Sequence, residues 1–269
     1  MDRLRMMWWI VLVVLGMDVG VADAQEVACL LQPSTVVALS SPAEGILETV
    51  SVERGALVQE GQVLATLESS LERAAVAVAK AKAEAESALQ GTQAKLEFST
   101  RKLIRAEDLS QKQTLSQHEL DEAKTERVLA EANRLEAREN RRLAELELQR
   151  ASASLALRTV RSPITGVVVE RLLSPGEAVK LTPILKLARV DPLRVDVFVP
   201  LVWWGKLFVG MQADVIPEAP ISGVYRATVT EVGRVLDAAG GTVAISLELP
   251  NPGLRLPAGI KCTARFAMP

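Results

Sequence analysis

The residues between 69 and 158 contain a single glycine, Gly91, and no proline, whereas the rest of the chain holds fifteen glycines and all thirteen prolines. The same window is rich in Ala, Leu, Glu, Lys, Arg and Gln, the residues that favour helices most strongly. Because proline and glycine end or weaken helices, a stretch almost without them favours long helices. A single helix of this length would reach about 135 Å, which indicates that the segment folds back on itself.

A seven-residue repeat runs through the first half of this window. Leu89, Leu96 and Leu103 form one row, and the small residues at positions 85, 92, 99 and 106 form a second. Large and small residues alternating at heptad spacing predict a coiled-coil seam between two closely packed helices. The second half continues less regularly, with Leu120, Leu129, Leu135, Leu143, Leu146 and Leu157.

Two capping boxes predict where the helices begin. Ser69 is followed three residues later by Glu72, and Ser116 by Glu119. Between the two boxes, residues 111–115 lose the heptad. The sequence therefore predicts an antiparallel hairpin over residues 69–158, with one helix from 69 to about 111, a tip near 111–116 and a second helix over 117–158. A hairpin about 60 Å long is a spacer or a reaching arm rather than a globular core.

The segments on either side of the predicted hairpin are similar to each other. Ser41-Pro42-x-x-Gly45 matches Ser162-Pro163-x-x-Gly166 at an offset of 121 residues. The same offset pairs Gly55 with Gly176, Val58 with Val179 and Leu64 with Leu185. Short Val- and Leu-rich runs between the glycines predict strands joined by tight turns. We therefore expect two half-domains, residues 40–68 and 159–188, that close on each other with the hairpin inserted between them.

Residues 189–269 alternate apolar and polar side chains between Gly and Pro turns, which predicts an antiparallel β-barrel. Residues 200–209 are expected to form a short helix in it. Strand-like residues within 25–39 are expected to join the same barrel, which would bring Cys29 near Cys262. The sequence alone leaves open whether these cysteines form a disulfide or are two small buried hydrophobic residues in separate strands.

Residues 1–24 have the features of a cleaved signal peptide. Arg3 and Arg5 precede an apolar run from Met6 to Met17, and Ala22-Asp23-Ala24 fits the small-x-small pattern before a cleavage site. The run is shorter than the about 20 residues that span a bilayer, which favours cleavage over an uncleaved anchor. We expect the mature chain to be exported.

The composition excludes several classes of function. A net charge of −2 provides no basic field for nucleic acid. One histidine and two cysteines are too few for zinc sites of the finger, ribbon or three-histidine kinds. No catalytic triad, paired-carboxylate motif or phosphate loop is present, so we expect no enzyme and no metal site. His118 is interpreted as a solvated side chain, and Trp203 and Trp204 as packing or membrane-side residues.

The nested order of strand, half-domain, hairpin, half-domain and barrel resembles the periplasmic adaptor subunits, or membrane fusion proteins, of tripartite efflux pumps. Residues 50–67 look like the first half of that family's lipoyl-like domain, 161–187 like the second half, and 256–260 like the entry to its final barrel strand. The resemblance implies an α+β multidomain fold, in which a long antiparallel α-helical coiled-coil hairpin is inserted in a lipoyl-like β-sandwich and an antiparallel β-barrel follows. The lysine of true lipoyl carriers has no counterpart here, so we expect no cofactor.

A further motif of that family occurs at the predicted tip. Arg105, Leu109 and Ser116 match the spacing Arg-x3-Leu-x6-Ser with which such adaptors dock against an outer-membrane channel. The resemblance implies that Arg105 pairs with polar or carbonyl groups of the channel, Leu109 fills an apolar notch and Ser116 forms a hydrogen bond at the contact. Without the resemblance, Ser116 is a helix cap, Leu109 a last seam residue and Arg105 a solvated charge.

The resemblance also implies the partners of the chain. They are an inner-membrane transporter, of the proton-driven resistance-nodulation-division (RND) kind, an outer-membrane channel, and further copies of the chain in a ring or funnel, hexameric or a trimer of dimers. The protein would lie in the periplasm, held at the inner membrane by its transporter, in a short form without the family's membrane-proximal domain. The alternatives are an adaptor of an ATP-driven exporter and an exported coiled-coil structural protein of the envelope.

Overall fold

A computed structural model of the chain describes residues 24–267, so the predicted signal peptide lies outside the described residues except for Ala24. The described residues form three α-helices, two short 3-10 helices (Leu201–Trp203 and Pro252–Leu254) and twelve strands. The helices are α1 (Ser70–Ala83), α2 (Ser87–Gln111) and α3 (Gln117–Ala156). The strands, β1 to β12, are in chain order Ala24–Leu39, Gly45–Val50, Leu57–Val58, Val63–Leu67, Thr159–Arg161, Gly166–Arg171, Ala178–Val179, Leu185–Pro200, Gln212–Pro217, Tyr225–Asp237, Thr242–Leu249 and Lys261–Ala267.

The described chain divides into two compact units. Residues 24–35 and 190–267 form one unit, and Val36–Arg189 form the other. In the first unit, antiparallel strands follow the order β1-β12-β9-β10-β11-β8. Inward-facing residues of these strands, such as Val195, Val215, Ile245 and Phe266, are fully buried and form one hydrophobic core. The alternation of apolar and polar residues in the sequence is thus the alternation of the two faces of this sheet.

Cys29 and Cys262 lie directly opposite each other on β1 and β12. Their Cα atoms are 4.8 Å apart and their Sγ atoms are joined in a disulfide bond. Both residues are buried in the core of the first unit. The bond links the two ends of the described chain across a span of 233 residues.

The helix predicted over residues 200–209 is wrong. Only Leu201–Trp203 are helical, as one turn of 3-10 helix. Gly205 has a φ of +82°, outside the range of a right-handed helix, so the chain turns there instead of continuing. The two tryptophans therefore differ: Trp203 is buried against the edge of the Phe266 ring, and Trp204 is exposed.

The second unit contains two halves related by the 121-residue offset of the sequence. Strands β2, β3 and β4 of the first half correspond to β6, β7 and the start of β8 in the second. Each half pairs with the other in the same way, since Gly45 lies opposite Val179 on β2 and β7, while Gly166 lies opposite Val58 on β6 and β3. Buried residues from both halves form a single core, including Leu47, Leu64, Val168, Ile184 and Leu187.

The two Ser-Pro turns make equivalent hydrogen bonds. The hydroxyl of Ser41 donates to the carbonyl of Ala43 at 2.7 Å and accepts from its amide at 3.1 Å. The hydroxyl of Ser162 donates to the carbonyl of Ile164 at 2.6 Å and accepts from its amide at 3.4 Å. The repeated motif is therefore a repeated turn that leads into β2 and β6.

The outgoing arm of the hairpin is interrupted, contrary to the single helix predicted from 69 to about 111. Residues 84–86 separate α1 from α2. The inward-facing residues of α2 are those of the predicted heptad, but in α1 they are Val76, Ala79 and Ala83, each one residue after the position that the heptad predicts. A continuous helix would need an extra rotation of about 100° to bring both sets onto α3, and the break provides it.

The returning arm, α3, presents an alanine row to the seam rather than the predicted leucines. Ala123 and Ala130 are buried, and Ala137, Ala144 and Ala151 continue at the same spacing, half-buried. Arg127, Arg134 and Arg141 occupy the companion row. Of the leucines named above, Leu120 is buried, whereas Leu129, Leu135, Leu143, Leu146 and Leu157 are exposed. Alanine allows the helices to approach closely, and the aliphatic stems of the arginines cover the seam.

None of the helices in the described part of the chain combines the length and the apolar character needed to cross a membrane.

Candidate functional site

The tip of the hairpin begins where α2 ends in a Schellman motif. The amide of Gln113 donates to the carbonyl of Ser110 at 2.9 Å, and the amide of Thr114 donates to the carbonyl of Leu109 at 3.0 Å. The Thr114 hydroxyl donates to the same carbonyl at 2.9 Å. Gln113 has a φ of +56°, a conformation that glycine or asparagine usually provides. The last carbonyl groups of α2 are thereby satisfied, and the direction of the chain is fixed at the turn.

The start of α3 is held by a complete capping box. The hydroxyl of Ser116 accepts a hydrogen bond from the amide of Glu119 at 3.3 Å. The Glu119 carboxylate in turn accepts from the Ser116 hydroxyl at 2.7 Å and from the Ser116 amide at 3.0 Å. The hydrogen bond from the Ser116 hydroxyl lowers the pKa of Glu119 most, and the bond from the Ser116 amide lowers it further. The two helix ends that meet at the tip are therefore both capped.

A small apolar cluster lies beneath the two caps. Ala106 on α2 and Leu120 and Ala123 on α3 are buried together, and Leu103 and Leu115 pack against them. Leu115 belongs to the turn itself, so the turn is anchored to the seam by its own side chain. This packing, together with the caps, makes the tip a well-packed platform.

The three residues of the Arg-x3-Leu-x6-Ser motif lie at this platform and face solvent. Arg105 and Leu109 are one helical turn apart on α2, where residues four apart share a face. Leu109 is 43% exposed and lies outside the buried seam. Arg105 is exposed, and no described carboxylate lies within ion-pair distance of it. Ser116 is exposed at the cap of α3. The structure thus presents a cation, an apolar side chain and a hydroxyl around one turn.

Lys112 and Asp108 add a feature that the sequence analysis missed. The Lys112 ammonium lies 2.6 Å from the Asp108 carboxylate at the end of α2. Their spacing of four residues was a usable signal for this pair. The left-handed Gln113 gave no such signal, because no glycine or asparagine marks the turn.

The base of the hairpin is held differently, and the capping box predicted at Ser69 is wrong. Ser69 makes no side-chain cap bond. The Glu72 carboxylate, which the box requires, instead accepts a hydrogen bond from the Arg158 guanidinium at 2.5 Å. Glu68 caps the start of α1 in place of Glu72, since its carboxylate accepts a hydrogen bond from the amide of Ser70 at 2.8 Å. The hydrogen bonds from Ser70 lower the pKa of Glu68.

Arg158 also ties the hairpin to the start of strand β2. Its guanidinium donates to the carbonyl of Glu44 at 2.6 Å as well as to Glu72. The guanidinium lies so close to Gly45 that a Cβ atom there would be 2.6 Å from Nη1. Arg158 therefore connects the end of α3 with the start of α1 and the start of β2.

No group of three or more His, Cys, Asp or Glu side chains within residues 24–267 is arranged to hold a metal ion. His118 lies in an open groove on α3 beside Asp121, Glu122, Thr125, Glu126 and Leu129.

Comparison with protein families gives a match to the model described as "CzcB-like, barrel-sandwich hybrid domain", over residues 35–188. The match includes both half-domains and the whole hairpin, and it covers more than half of the chain.

Individual relatives are more distant. A protein of Haemophilus influenzae, described as uncharacterized, is 24% identical over 242 residues, which are 89% of this chain and 56% of that protein. The chain thus spans about half the length of this relative. Among solved structures, MacA from Actinobacillus actinomycetemcomitans matches with a TM-score of 0.76 at 21% identity, covering 91% of this chain and 78% of MacA. The membrane fusion protein Spr0693 from Streptococcus pneumoniae matches with a TM-score of 0.63 at 16% identity, covering 89% of this chain and 97% of Spr0693.

Proposed function

Because the chain belongs to the CzcB-like barrel-sandwich hybrid family, we propose that it is a periplasmic adaptor that links an inner-membrane efflux transporter to an outer-membrane channel. It performs no chemistry of its own. Two of the similar structures support the proposal by their descriptions, since Spr0693 is a membrane fusion protein and another match, from Bacteroides eggerthii, is described as a putative efflux transporter.

The proposal assigns a role to each segment. Residues 40–68 and 159–188 form the lipoyl-like sandwich, residues 69–158 the coiled-coil hairpin, and residues 189–269, joined by a strand from 25–39, the barrel. Pairing of β1 with β8 in addition to β12 supports a closed barrel. Residues 1–24 are removed as the signal peptide. The Cys29–Cys262 disulfide fits an oxidising compartment such as the periplasm.

The observation that carries the proposal is the exposed tip. A long two-helix arm stabilises an enzyme or a small binding domain very little, and here it ends in two caps and a packed turn. The exposure of Arg105 and Leu109 beside this packed turn supports a contact at the tip. The channel is the partner at the tip, with Arg105, Leu109 and Ser116 as docking residues.

The sandwich and the barrel hold the transporter and neighbouring copies of the chain. The transporter is of the RND type, and the adaptor assembles as a ring or funnel, hexameric or a trimer of dimers. The hairpins then lie side by side and close the passage between transporter and channel.

The tip assignment is tested with Arg105→Asp and Leu109→Glu in cells that express the chain with its transporter and channel. Each substitution places a new carboxylate on the docking face, so we expect loss of co-purification with the channel and loss of efflux. Because both side chains are exposed, helix content and melting temperature should not change. Arg138→Asp and Leu143→Glu are matched controls, since both residues are exposed on α3 away from the tip.

Channel binding retained by both tip variants, or lost equally in the two controls, would contradict the assignment of the tip. Co-purification of the transporter should be unaffected in all four variants. Its loss in the tip variants alone would show that the tip contacts the transporter instead.

A further inference from the structure

The segment between β8 and β9 displays apolar side chains to solvent. Residues 201–211 contain five exposed large hydrophobic residues: Leu201, Val202, Trp204, Phe208 and Val209. Val202 is 74% exposed and Phe208 is 62% exposed. In a water-soluble unit, this concentration of exposed apolar side chains on one segment marks a binding surface rather than a random exception.

The exposure does not result from a poorly packed segment. Trp203 and Leu207, which alternate with the exposed residues, are buried in the core of the first unit. Backbone hydrogen bonds fix the segment at both ends, from the amide of Leu201 to the carbonyl of Gly241 at 3.0 Å and from the amide of Gly210 to the carbonyl of Val229 at 2.8 Å. The exposed side chains are therefore held in place by two buried anchors.

A second exposed pair lies at the same end of the sheet. Val235 and Leu236 are exposed near the end of β10. Leu236 lies opposite Val243 on β11, and Val243 lies opposite Val199 on β8, two residues before the segment begins. We name the five residues of the segment together with Val235 and Leu236 the apolar rim.

Two basic side chains adjoin the apolar rim. Lys206 is the only charged residue between Asp196 and Asp214. Arg234 adjoins Val235, and neither Lys206 nor Arg234 forms an ion pair with a described residue. The nearby acidic residue Asp237 accepts a hydrogen bond from the amide of Ala239 within its own turn. Aromatic side chains next to unpaired basic groups are typical of surfaces that meet phospholipid headgroups.

The chain also enters the unit at this end. Ala24, the first residue of β1, lies opposite Ala267 on β12, and Phe266 lies opposite Ala213 at the start of β9, which directly follows the segment. The amino-terminal end of β1 therefore lies on the side of the apolar rim.

We propose that the apolar rim binds directly to a lipid bilayer, with Trp204 and Phe208 at the boundary between headgroups and acyl chains and with Lys206 and Arg234 at the phosphates. Tryptophan and phenylalanine gain burial at this boundary, while basic side chains reach outward to the headgroups. The binding goes beyond the adaptor function, because it requires no protein partner and gives the unit its own contact with the membrane.

The test is flotation of the chain recovered from the periplasm with vesicles of phosphatidylethanolamine and phosphatidylglycerol. We expect the native chain to float with the vesicles and Trp204→Ser/Phe208→Ser to bind at least about tenfold more weakly, because two apolar side chains no longer insert. Leu57→Ser/Leu181→Ser is the matched control, since both leucines are exposed in the other unit, and it should bind like the native chain. Lys206→Glu/Arg234→Glu should weaken binding to these vesicles more than binding to phosphatidylcholine vesicles.

Absence of vesicle binding by the native chain would overturn the proposal, and so would an equal loss in the rim variant and the control. Circular dichroism of each variant distinguishes lost binding from lost folding. A photo-crosslinker at position 204 that captures an integral membrane protein in cells, without vesicle binding in vitro, would instead assign the apolar rim to a protein contact. Since no partner protein is present in the flotation, its outcome does not depend on whether the hairpin tip docks to a channel.

Discussion

The two ends of the hairpin carry the same local motif and use it differently. At the tip, Ser116 and Glu119 cap α3 through three hydrogen bonds between them. At the base, Ser69 and Glu72 stand at the same spacing at the start of α1, but Ser69 makes no cap bond and Glu72 binds Arg158. The tip has no competing partner for its glutamate, whereas the base has a guanidinium 2.5 Å away.

The difference shows that a capping box is a local preference that a tertiary partner can replace. A guanidinium offers a carboxylate the attraction of opposite charges as well as a hydrogen bond, and here both groups are largely buried. At the base, Glu72 belongs to a set of contacts through Arg158 that joins α1, the end of α3 and the start of β2. At the tip, Glu119 bonds only to the cap of its own helix.

Arg158→Ala should have the largest effect on this comparison. It removes the hydrogen bonds to Glu72 and to the carbonyl of Glu44 and leaves a half-buried carboxylate without its partner. We expect a loss of about 1.5–3 kcal/mol in the free energy of unfolding, measured by urea denaturation of the whole chain. Arg138→Ala, on an exposed part of α3, should change it by less than about 0.5 kcal/mol. Equal losses in the two variants would show that Arg158 has no special role at the base.

Ser116→Ala should have the next largest effect. Removal of the hydroxyl breaks the capping box at the start of α3 and should cost about 1 kcal/mol of helix stability. Amide hydrogen exchange of the first turn of α3 should increase accordingly. The matched variant is Ser69→Ala, where no side-chain cap bond exists, so exchange in α1 should stay as it is. If Ser69→Ala accelerated exchange as much as Ser116→Ala, the proposed contrast between the two ends would be wrong.

Gln113→Gly should stabilise the tip. Gln113 occupies the left-handed position of the Schellman motif with a φ of +56°, which is unfavourable for a residue with a Cβ atom. Glycine relieves that strain but also has more backbone freedom to lose on folding. We expect a net increase of about 0.5–1 kcal/mol in the free energy of unfolding. The measurement is the free energy of unfolding, and a loss instead of a gain would mean that the glutamine side chain itself supports the turn.

The smallest expected effect is on the pH dependence of the tip. Since hydrogen bonds from Ser116 lower the pKa of Glu119, the ionised carboxylate stabilises the folded tip fully above its ordinary pKa. This contribution is lost as the pH falls through the lower folded value. We expect exchange protection in the first turn of α3, corrected for the pH dependence of intrinsic exchange, to fall over that acidic range. In Glu119→Gln this fall in protection should be absent. If the variant still lost protection over the same pH range, another group would be responsible for the pH dependence.

Much of this architecture follows from patterns in the sequence. The Pro-free window, the 121-residue offset and the Ser116 box each correspond to a feature that the structure contains. The break at residues 84–86 was not predicted, because no proline or glycine marks it. The break coincides with a shift of one residue between the inward-facing rows of α1 and α2, which becomes visible only when both rows pack against α3.

Most of the leucines of α3 lie outside the seam that they were expected to form, for a related reason. Leucine is the usual core residue of a seam, yet here alanines and arginine stems face α2, and Leu129, Leu143 and Leu146 are exposed. The unbroken alanine spacing from Ala123 to Ala151 was the better signal. The spacing of Arg105, Leu109 and Ser116 located the tip. The exposure of these side chains, and the hydrogen bonds that Ser116 already makes with Glu119, could be read only from the structure.

The most direct test of the adaptor account is photo-crosslinking from the hairpin tip in living cells. A photo-reactive residue at position 112, whose side chain is exposed at the turn, is compared with one at position 139 on the outer surface of α3. We predict that position 112 crosslinks to an integral outer-membrane channel protein and that position 139 does not. Crosslinking of position 112 only to inner-membrane proteins, or to the channel with no difference between the two positions, would contradict it.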